Sequence, residues 1–105
     1  MVIVETAIFT RIVCELLPDD EIRRLQLALL LRPEQGDIIP GCHGLRKLRW
    51  KQPRQGKRGG LRVLYYWDKP NDRIYMIYAY RKSKQSDLTQ QQIRDLGRLV
   101  REEFK

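Results

Sequence analysis

The chain has few of the residues that many enzymes use for acid–base or metal chemistry. It contains one histidine, His43, and two cysteines, Cys14 and Cys42. Zinc sites need about four ligands at recognisable spacings, so these residues predict no metal centre. Catalysis by a histidine acid paired with a histidine base is excluded as well. No secretory signal is evident, and we therefore expect both thiols to be reduced.

Long hydrophobic runs are missing too. The longest run of aliphatic residues spans Leu27 to Leu31, whereas a membrane-spanning helix needs about 20 apolar residues. The β-branched start, Val2 to Val4, is interrupted by Glu5 before a signal-peptide core could form. We therefore expect a cytoplasmic protein without a membrane partner. The length suits a single domain over residues 1–105.

Positive charge is abundant and unevenly placed. Thirteen of the 21 Lys and Arg residues lie between Leu45 and Lys84, with two acids, Asp68 and Asp72. The other segments nearly cancel, and the whole chain has a formal net charge of +8. Most of the aromatic residues lie in the same block, and cations interleaved with rings suit a polyanion with stackable bases. A solvated surface would mix the signs more evenly, so the pattern favours nucleic-acid binding.

The first third of the chain predicts a strand and two helices. Val2 to Val4 read as a strand, and apolar residues at helical spacing continue to Leu16. Pro18 ends this helix, and Asp19 to Glu21 place acids in the first turn of the next one. Arg32–Pro33 ends the second helix because the residue before proline disfavours the α region. The short connection predicts an antiparallel helix hairpin.

After Gly44 the apolar residues recur with a period of two. Leu45 to Lys51 reads as a strand on which one face carries three cations, Lys47, Arg49 and Lys51. Such a face is costly unless an anion binds there.

Two further strands and a helix complete the pattern. Two segments are largely apolar at both odd and even positions, Leu61 to Trp67 and Ile74 to Tyr80. They predict a β-hairpin that is covered on both faces. Thr89 to Gln92 has the form of a capping box at the start of a final helix. The predicted fold is α+β, with a helix hairpin packed on a small antiparallel sheet and a C-terminal helix.

A glycine-rich basic loop, Gly56 to Gly60, separates the basic strand from the hairpin. It is not a P-loop, because that motif requires a glycine where this chain has Lys51. The loop suits either a close backbone approach to a phosphate or an ordinary flexible turn. Arg62 follows at the start of a hydrophobic strand, where the sheet would hold its guanidinium toward a phosphoryl group.

Any phosphodiester chemistry in this chain must use Lys, Arg and Tyr side chains. RNA is the favoured substrate because its 2′-hydroxyl is an internal nucleophile beside the phosphorus. A lysine crowded by cations has a lowered pKa and can accept the hydroxyl proton, while an arginine stabilises the phosphorane. Tyr80 lies next to Arg81, Lys82 and Lys84 in sequence, where it could stack a base or bind a phosphate.

Four motifs carry a resemblance to a known family. They are Gly-Leu-Arg-Lys-Leu-Arg at 44–49, Gly-Lys-Arg-Gly-Gly-Leu-Arg-Val-Leu-Tyr-Tyr at 56–66, Tyr-Ala-Tyr-Arg-Lys at 78–82 and Ser-Asp-Leu-Thr at 86–89. Together they resemble the RelE/HigB toxins, and the HigB branch in particular. The resemblance implies a compact RelE-like fold and metal-independent cleavage of messenger RNA in the ribosomal A site, with no cofactor. It also implies a cognate antitoxin, which in this branch commonly carries a helix-turn-helix domain.

The same resemblance assigns roles to individual residues. Arg62 matches the arginine that stabilises the transition state. Lys47 and Arg49 match the family's basic strand positions, Lys57 and Arg58 its basic loop, and Lys82 its basic residue after the last strand. Together with the sequence positions described above, this gives a predicted catalytic set of Arg62, Lys82, Lys57 and Tyr80. The predicted RNA-binding set is Lys47, Arg49, Lys51, Arg58, Arg81 and Lys84. Better-known RelE members have a tyrosine before the final helix where this chain has Leu88–Thr89. The general base is thus left open among Lys47, Lys57, Lys82 and Tyr80.

A second class of function fits the same cations. A non-catalytic RNA- or ribosome-binding module would block translation by occupancy and would need the same basic surface. The sequence leaves both possibilities open.

Overall fold

The computed structural model describes residues 1–51, 60–82 and 88–104. In these ranges the chain forms five strands and three α-helices, followed by a π-helical turn. In order they are β1 (Val2–Glu5), α1 (Ala7–Leu16), α2 (Asp19–Leu31), β2 (Asp37–Ile38), β3 (Leu45–Trp50), β4 (Leu61–Asp68), β5 (Arg73–Arg81), α3 (Gln90–Leu99) and the turn Val100–Phe104. The α+β class, the helix pair and the C-terminal helix are confirmed.

All five strands form one sheet in the order β1-β5-β4-β3-β2. Strands β3, β4 and β5 form the predicted antiparallel meander. Strand β1 pairs with β5 in parallel, with Val2 opposite Arg73 and Glu5 opposite Met76. The prediction of a wholly antiparallel sheet is therefore wrong at this edge, since a sequence pattern indicates a strand but not the direction of its neighbour. Strand β2 is too short to have a readable period.

Helices α1 and α2 cover one face of the sheet, which we call the hairpin face. Thr6 caps α1 by accepting a hydrogen bond from the Phe9 N–H, and its hydroxyl donates to the Ile77 carbonyl of β5 at 2.8 Å. Phe9 and Val13 of α1, and Leu25 and Leu29 of α2, are buried among the sheet residues of this face. Their spacing is the helical stripe that the sequence predicts.

Helix α3 covers part of the opposite face, which we call the α3 face. The predicted capping box is present: the Thr89 hydroxyl accepts from the Gln92 N–H, and the Gln92 side chain accepts from the Thr89 N–H. Leu88 and Val100 are buried on this face in a cluster with Leu64 and other sheet residues. The helix thereby closes a second core on the far side of the sheet.

A β-bulge in β5 changes which side chains face α3. Leu64 pairs with Tyr78 and Tyr65 pairs with Met76, so Ile77 is an extra residue in β5. Met76 faces the hairpin, whereas Ile77 and Tyr80 face α3. Strict alternation would place Met76 and Tyr80 on one face, so the bulge moves Tyr80 to the other.

Within the ranges that the structure describes, no helix has both the length and the apolar character needed to cross a membrane.

Candidate nucleic-acid interface

Three residues from three strands form one row across the α3 face. Arg49 of β3 pairs with Arg62 of β4, and Arg62 pairs with Tyr80 of β5. Side chains of directly opposed residues point to the same face and lie about 5 Å apart at their Cβ atoms. The register therefore brings together the predicted RNA-binding residue Arg49 and two predicted catalytic residues, Arg62 and Tyr80.

Another row of cross-strand neighbours lies on each side of this one. Toward the meander's centre, Lys47 pairs with Leu64, and Leu64 pairs with Tyr78. On the other side, the Lys82 N–H donates to the Gly60 carbonyl at 3.0 Å, which extends the β4–β5 ladder by one residue.

Alternation then places Lys82 on the face of Tyr80, and Lys51 on the face of Arg49. We call the five cations at this end of the sheet, Lys47, Arg49, Lys51, Arg62 and Lys82, the cationic face. It spans three strands, about 10 Å, and four residue steps, about 14 Å, which leaves room for more than one phosphate group.

Arg62 is the most buried of these cations, with 8% of its surface exposed. Its Nη1 lies against Gly60, because a Cβ atom added to that glycine would be 2.8 Å away. The guanidinium thus runs back along its own strand toward Lys82. Among the described residues it has no carboxylate or hydrogen-bonding partner. Burial of an unpaired charge is costly, so an anion at this position would relieve a penalty already present in the fold.

The other cations differ in their surroundings. Arg49, Lys51 and Lys82 are exposed, whereas Lys47 is half-buried. Lys47 has the carboxylate-bearing Asp37 of β2 as its cross-strand neighbour. Opposite charges across a strand pair stabilise the sheet. Lys47 is therefore tied to the edge of the sheet as well as to the cationic face.

Arg81 is not part of the cationic face. It lies one residue from Tyr80 in β5 and therefore points to the hairpin face. There its Nη2 donates to the Leu16 carbonyl at 3.1 Å, at the C-terminal end of α1. A guanidinium in this position satisfies a carbonyl that the helix leaves without an internal partner. Arg81, a predicted RNA-binding residue, therefore does not share a face with Lys47, Arg49 and Lys51.

Three predicted site residues lie outside the described residues: Lys57, Arg58 and Lys84. For the general base this leaves Lys47, Lys82 and Tyr80 as the candidates whose positions are known. Tyr80 is 6% exposed, and its ring lies 6.2 Å from that of Tyr78.

The remaining tyrosines have structural surroundings. The Tyr65 hydroxyl donates to the Pro33 carbonyl at 2.6 Å and accepts from the Gly36 N–H at 2.9 Å. Burial raises the pKa of Tyr65, an effect that the Gly36 hydrogen bond partly opposes. Tyr66 and Tyr75 stack with Phe104 at the other end of the α3 face. These contacts hold the chain's last turn on the sheet.

The position before α3, where the RelE pattern has a tyrosine, holds a core residue. Leu88 is 9% exposed and belongs to the buried cluster under α3. An aliphatic side chain there can pack but can neither stack on a base nor transfer a proton. Tyr80 is the described tyrosine that shares a row with Arg62.

Sequence reasoning missed Tyr78 and the role of Gly60. Tyr78 lies on the α3 face because of the bulge. The sequence does not predict this bulge, since β5 is apolar at both odd and even positions. Among the described residues no group of three or more His, Cys, Asp or Glu side chains could hold a metal ion. A comparison of the chain with models of known protein families finds no match.

Proposed function

We propose that this chain is a RelE-like toxin of the HigB branch: an endoribonuclease that cleaves messenger RNA on the ribosome and so inhibits translation. The resemblance motifs coincide with the elements that build the cationic face. Gly44 to Arg49 leads into and forms most of β3, Leu61 to Tyr66 lies in β4, and Tyr78 to Lys82 closes β5. The order of strand, helix pair, meander and final helix agrees with the fold that the resemblance implies.

One observation carries the proposal: Arg62 is buried beside exposed cations and has no anionic partner among the described residues. A stability role for a buried arginine would call for a carboxylate. A phosphoryl group supplies the missing charge, and the guanidinium fork fits its oxygens in a bidentate manner.

The chemistry that fits this inventory is attack by the 2′-hydroxyl on the adjacent phosphorus. The 2′-oxygen forms a bond to phosphorus, its proton passes to a base, and the 5′-oxygen leaves with a proton from an acid. The products are a 2′,3′-cyclic phosphate and a 5′-hydroxyl end. Arg62 stabilises the added charge of the phosphorane. Tyr80 of β5 is paired with Arg62, and Lys82 follows β5 next to Gly60; we assign the proton transfers to these two side chains.

The ribosome supplies what these side chains lack. Lys, Arg and Tyr are weak acid–base catalysts at neutral pH, so the rate depends on holding the 2′-oxygen in line with the leaving oxygen. We propose messenger RNA in the A site of the 70S ribosome as the substrate, with no metal or other cofactor. A cognate antitoxin, of the kind that carries a helix-turn-helix domain, is the proposed inhibitor.

The second candidate is a non-catalytic module that binds RNA or the ribosome and blocks translation by occupancy. The exposed cations Arg49, Lys51 and Lys82 favour it as much as they favour an enzyme, since they can bind phosphates without any chemistry. The burial of Arg62 favours the enzyme, because an occupancy module gains little from a guanidinium withdrawn into the sheet.

Mapping the 5′ ends of cellular transcripts after expression tests the proposal. We expect new 5′ ends within coding regions for the unchanged protein and none for Arg62→Ala, since a lost transition-state donor costs about 100- to 1,000-fold in rate. Arg62→Lys should recover little, because a point charge does not reproduce the fork. Arg23→Ala, on the exposed side of α2, is the control and should cleave normally.

The opposite results are equally informative. Full toxicity and cleavage by a well-folded Arg62→Ala protein would refute the enzyme assignment. Growth inhibition by the unchanged protein without new 5′ ends would establish the occupancy module instead.

A further inference from the structure

A groove of about 300 Å³ lies between α1, β5 and α3. Ile8 and Leu96 form its apolar walls, Tyr78 lies between them, and Gln92 and Asp95 of α3 contribute the polar groups. Nothing in the mechanism proposed above uses this groove. Apolar walls with a few polar groups are typical of a ligand-binding site.

The groove is linked to the cationic face through two neighbouring tyrosines. Tyr78 belongs to the row of Lys47 and Leu64, and its ring lies 6.2 Å from that of Tyr80 in the row of Arg62. Successive rows on one face are about 7 Å apart. These spacings put the groove within reach of a nucleotide that neighbours a phosphate bound at Arg62.

The polar groups of the groove are held in place by α3 itself. Gln92 Oε1 accepts from the Thr89 N–H at 2.9 Å, which fixes the orientation of its carboxamide. Asp95 Oδ1 accepts from Gln91 Nε2 at 2.8 Å. Such pre-orientation lowers the entropic cost of binding a ligand.

The charge of Asp95 decides which part of a nucleotide can enter. A carboxylate repels phosphate, and it accepts hydrogen bonds but offers none. It suits the N–H donors on the edge of a base, as a carboxylate suits the amino group of cytosine. The aromatic ring of Tyr78 supplies a surface for stacking.

We propose that this groove is a base-specificity site that binds an RNA base with an exocyclic amino group, next to the phosphate held by Arg62. Asp95 accepts from the amino group, and Tyr78 packs against the ring. The proposal rests on the proposed function only in that the protein binds RNA. It does not require cleavage.

A binding measurement on the purified protein tests the site directly. The probes are two fluorescently labelled RNA hexamers, one of adenosine and one of purine riboside, which differ only in the exocyclic amino group. We expect the adenosine hexamer to bind at least about fivefold more tightly, the low end of what one good side chain–base pair provides. Asp95→Ala should bring the ratio close to one, and Asp95→Asn, which keeps an acceptor oxygen, should retain part of it.

A charge-matched control separates base recognition from general electrostatics. Glu102→Ala removes an exposed carboxylate that does not line the groove. It should strengthen both hexamers equally and leave their ratio unchanged. Arg62→Ala should weaken both equally, because it acts on the phosphate.

Equal binding of the two hexamers, or a ratio that Asp95→Ala does not alter, would overturn the proposal. Cleavage patterns distinguish this failure from a failure of the proposed enzyme. If Arg62→Ala stays toxic while the ratio behaves as expected, the groove stands and the enzyme assignment fails. If transcripts are cut but Asp95→Ala changes neither the ratio nor the bases at the cut sites, the enzyme stands and the groove fails.

Discussion

At the scale of single residues, the position of Arg62 depends on a residue that has no side chain. A Cβ atom at Gly60 would lie 2.8 Å from Arg62 Nη1, closer than real contacts of this kind. The obstructed group is the end of a flexible side chain, so it can swing away at little cost in stability. The Arg62 guanidinium would then be displaced from its position beside residue 60.

We therefore predict that Gly60→Ala slows cleavage of ribosome-bound message by about tenfold to 100-fold, because a shift of about 1 Å in a catalytic group can cost 100-fold. The free energy of unfolding should change by less than about 1 kcal/mol. Single-turnover rates and urea unfolding measure the two effects. Gly97→Ala, inside α3 and remote from Arg62, is the control. A normal rate for Gly60→Ala would show that the arginine does not act from its present position.

Tyr65 illustrates a tyrosine whose role is structural. Its hydroxyl is buried and bonded to both the Pro33 carbonyl and the Gly36 N–H. Tyr65→Phe leaves both backbone groups without this partner, and we predict a loss of about 1–3 kcal/mol in the free energy of unfolding. Tyr75→Phe should cost less, because its hydroxyl makes an exposed contact with Arg73 at 3.5 Å.

The pH dependence of this effect has a definite sign. Burial raises the pKa of Tyr65, so the folded state keeps its proton to higher pH than the unfolded chain. Its contribution to stability is fully present below the ordinary tyrosine pKa of about 10, and it is lost as the pH rises above that value. Urea unfolding at pH 8 and at pH 11 should show a smaller alkaline loss in Tyr65→Phe. An identical loss in both proteins would contradict the assignment.

At the scale of elements, α3 owes its start to two reciprocal hydrogen bonds between Thr89 and Gln92. Thr89→Ala removes the hydroxyl that accepts from the Gln92 N–H and leaves that N–H without this partner. We predict a loss of about 1 kcal/mol in the free energy of unfolding. Thr89→Ser should restore most of it. Thermal unfolding measures the change, which corresponds to about 4–8 °C in Tm for a domain near this size. Gln91→Ala, on the exposed side of the same turn, should have less effect.

The elements also show what the sequence could and could not predict. Capping residues, prolines and apolar periods are local, so they identified the helices and the meander strands to within a residue or two. Strand β1 pairs in parallel with a strand some 70 positions away, and no local pattern encodes the direction of that pairing. The bulge at Ile77 is hidden for a different reason: β5 is apolar on both parities, so a change of face leaves no trace.

The candidate site was predictable to the same extent. Lys47, Arg49 and Lys51 could be assigned to one face because a single strand fixes their alternation. The row of Arg49, Arg62 and Tyr80 could not, since it depends on two registers and on the bulge. Arg81 was placed with its neighbours in sequence, but alternation directs it to the hairpin face and to the Leu16 carbonyl.

At the scale of the whole molecule, the two faces of the sheet differ in how much they contribute to packing and to charge. The hairpin face carries most of the apolar packing, including Phe9, Leu25 and Leu29. The α3 face is closed by α3 and the aromatic stack at one end, and it presents cations at the other. This division lets the protein hold repelling charges together, because stability is supplied elsewhere in the fold.

The same division predicts that cations on one face separate into binding and chemical roles. Lys51 directly follows β3, which is separated from β5 by β4. Lys82 directly follows β5, and its N–H donates to the carbonyl of Gly60, the residue that contacts Arg62. Lys51→Ala should weaken binding to ribosomes and reduce the log–log salt slope by about 0.7–0.9, the loss of one phosphate contact. Its single-turnover rate at saturation should stay within about twofold of normal.

Lys82→Ala should do the reverse, with a slower rate at saturation and a smaller effect on affinity, because Lys82 is close to Arg62, the proposed stabiliser of the phosphorane. Titration of ribosomes at several salt concentrations, followed by single-turnover cleavage, separates the two quantities. Lys69→Ala is the matched control: this exposed lysine lies over Trp67 at the opposite end of β4, away from the cationic face. If Lys51→Ala lowered the saturated rate as much as Lys82→Ala, or if Lys69→Ala matched either variant, the cationic face would act as a diffuse charge. Its rows would then have no separate roles.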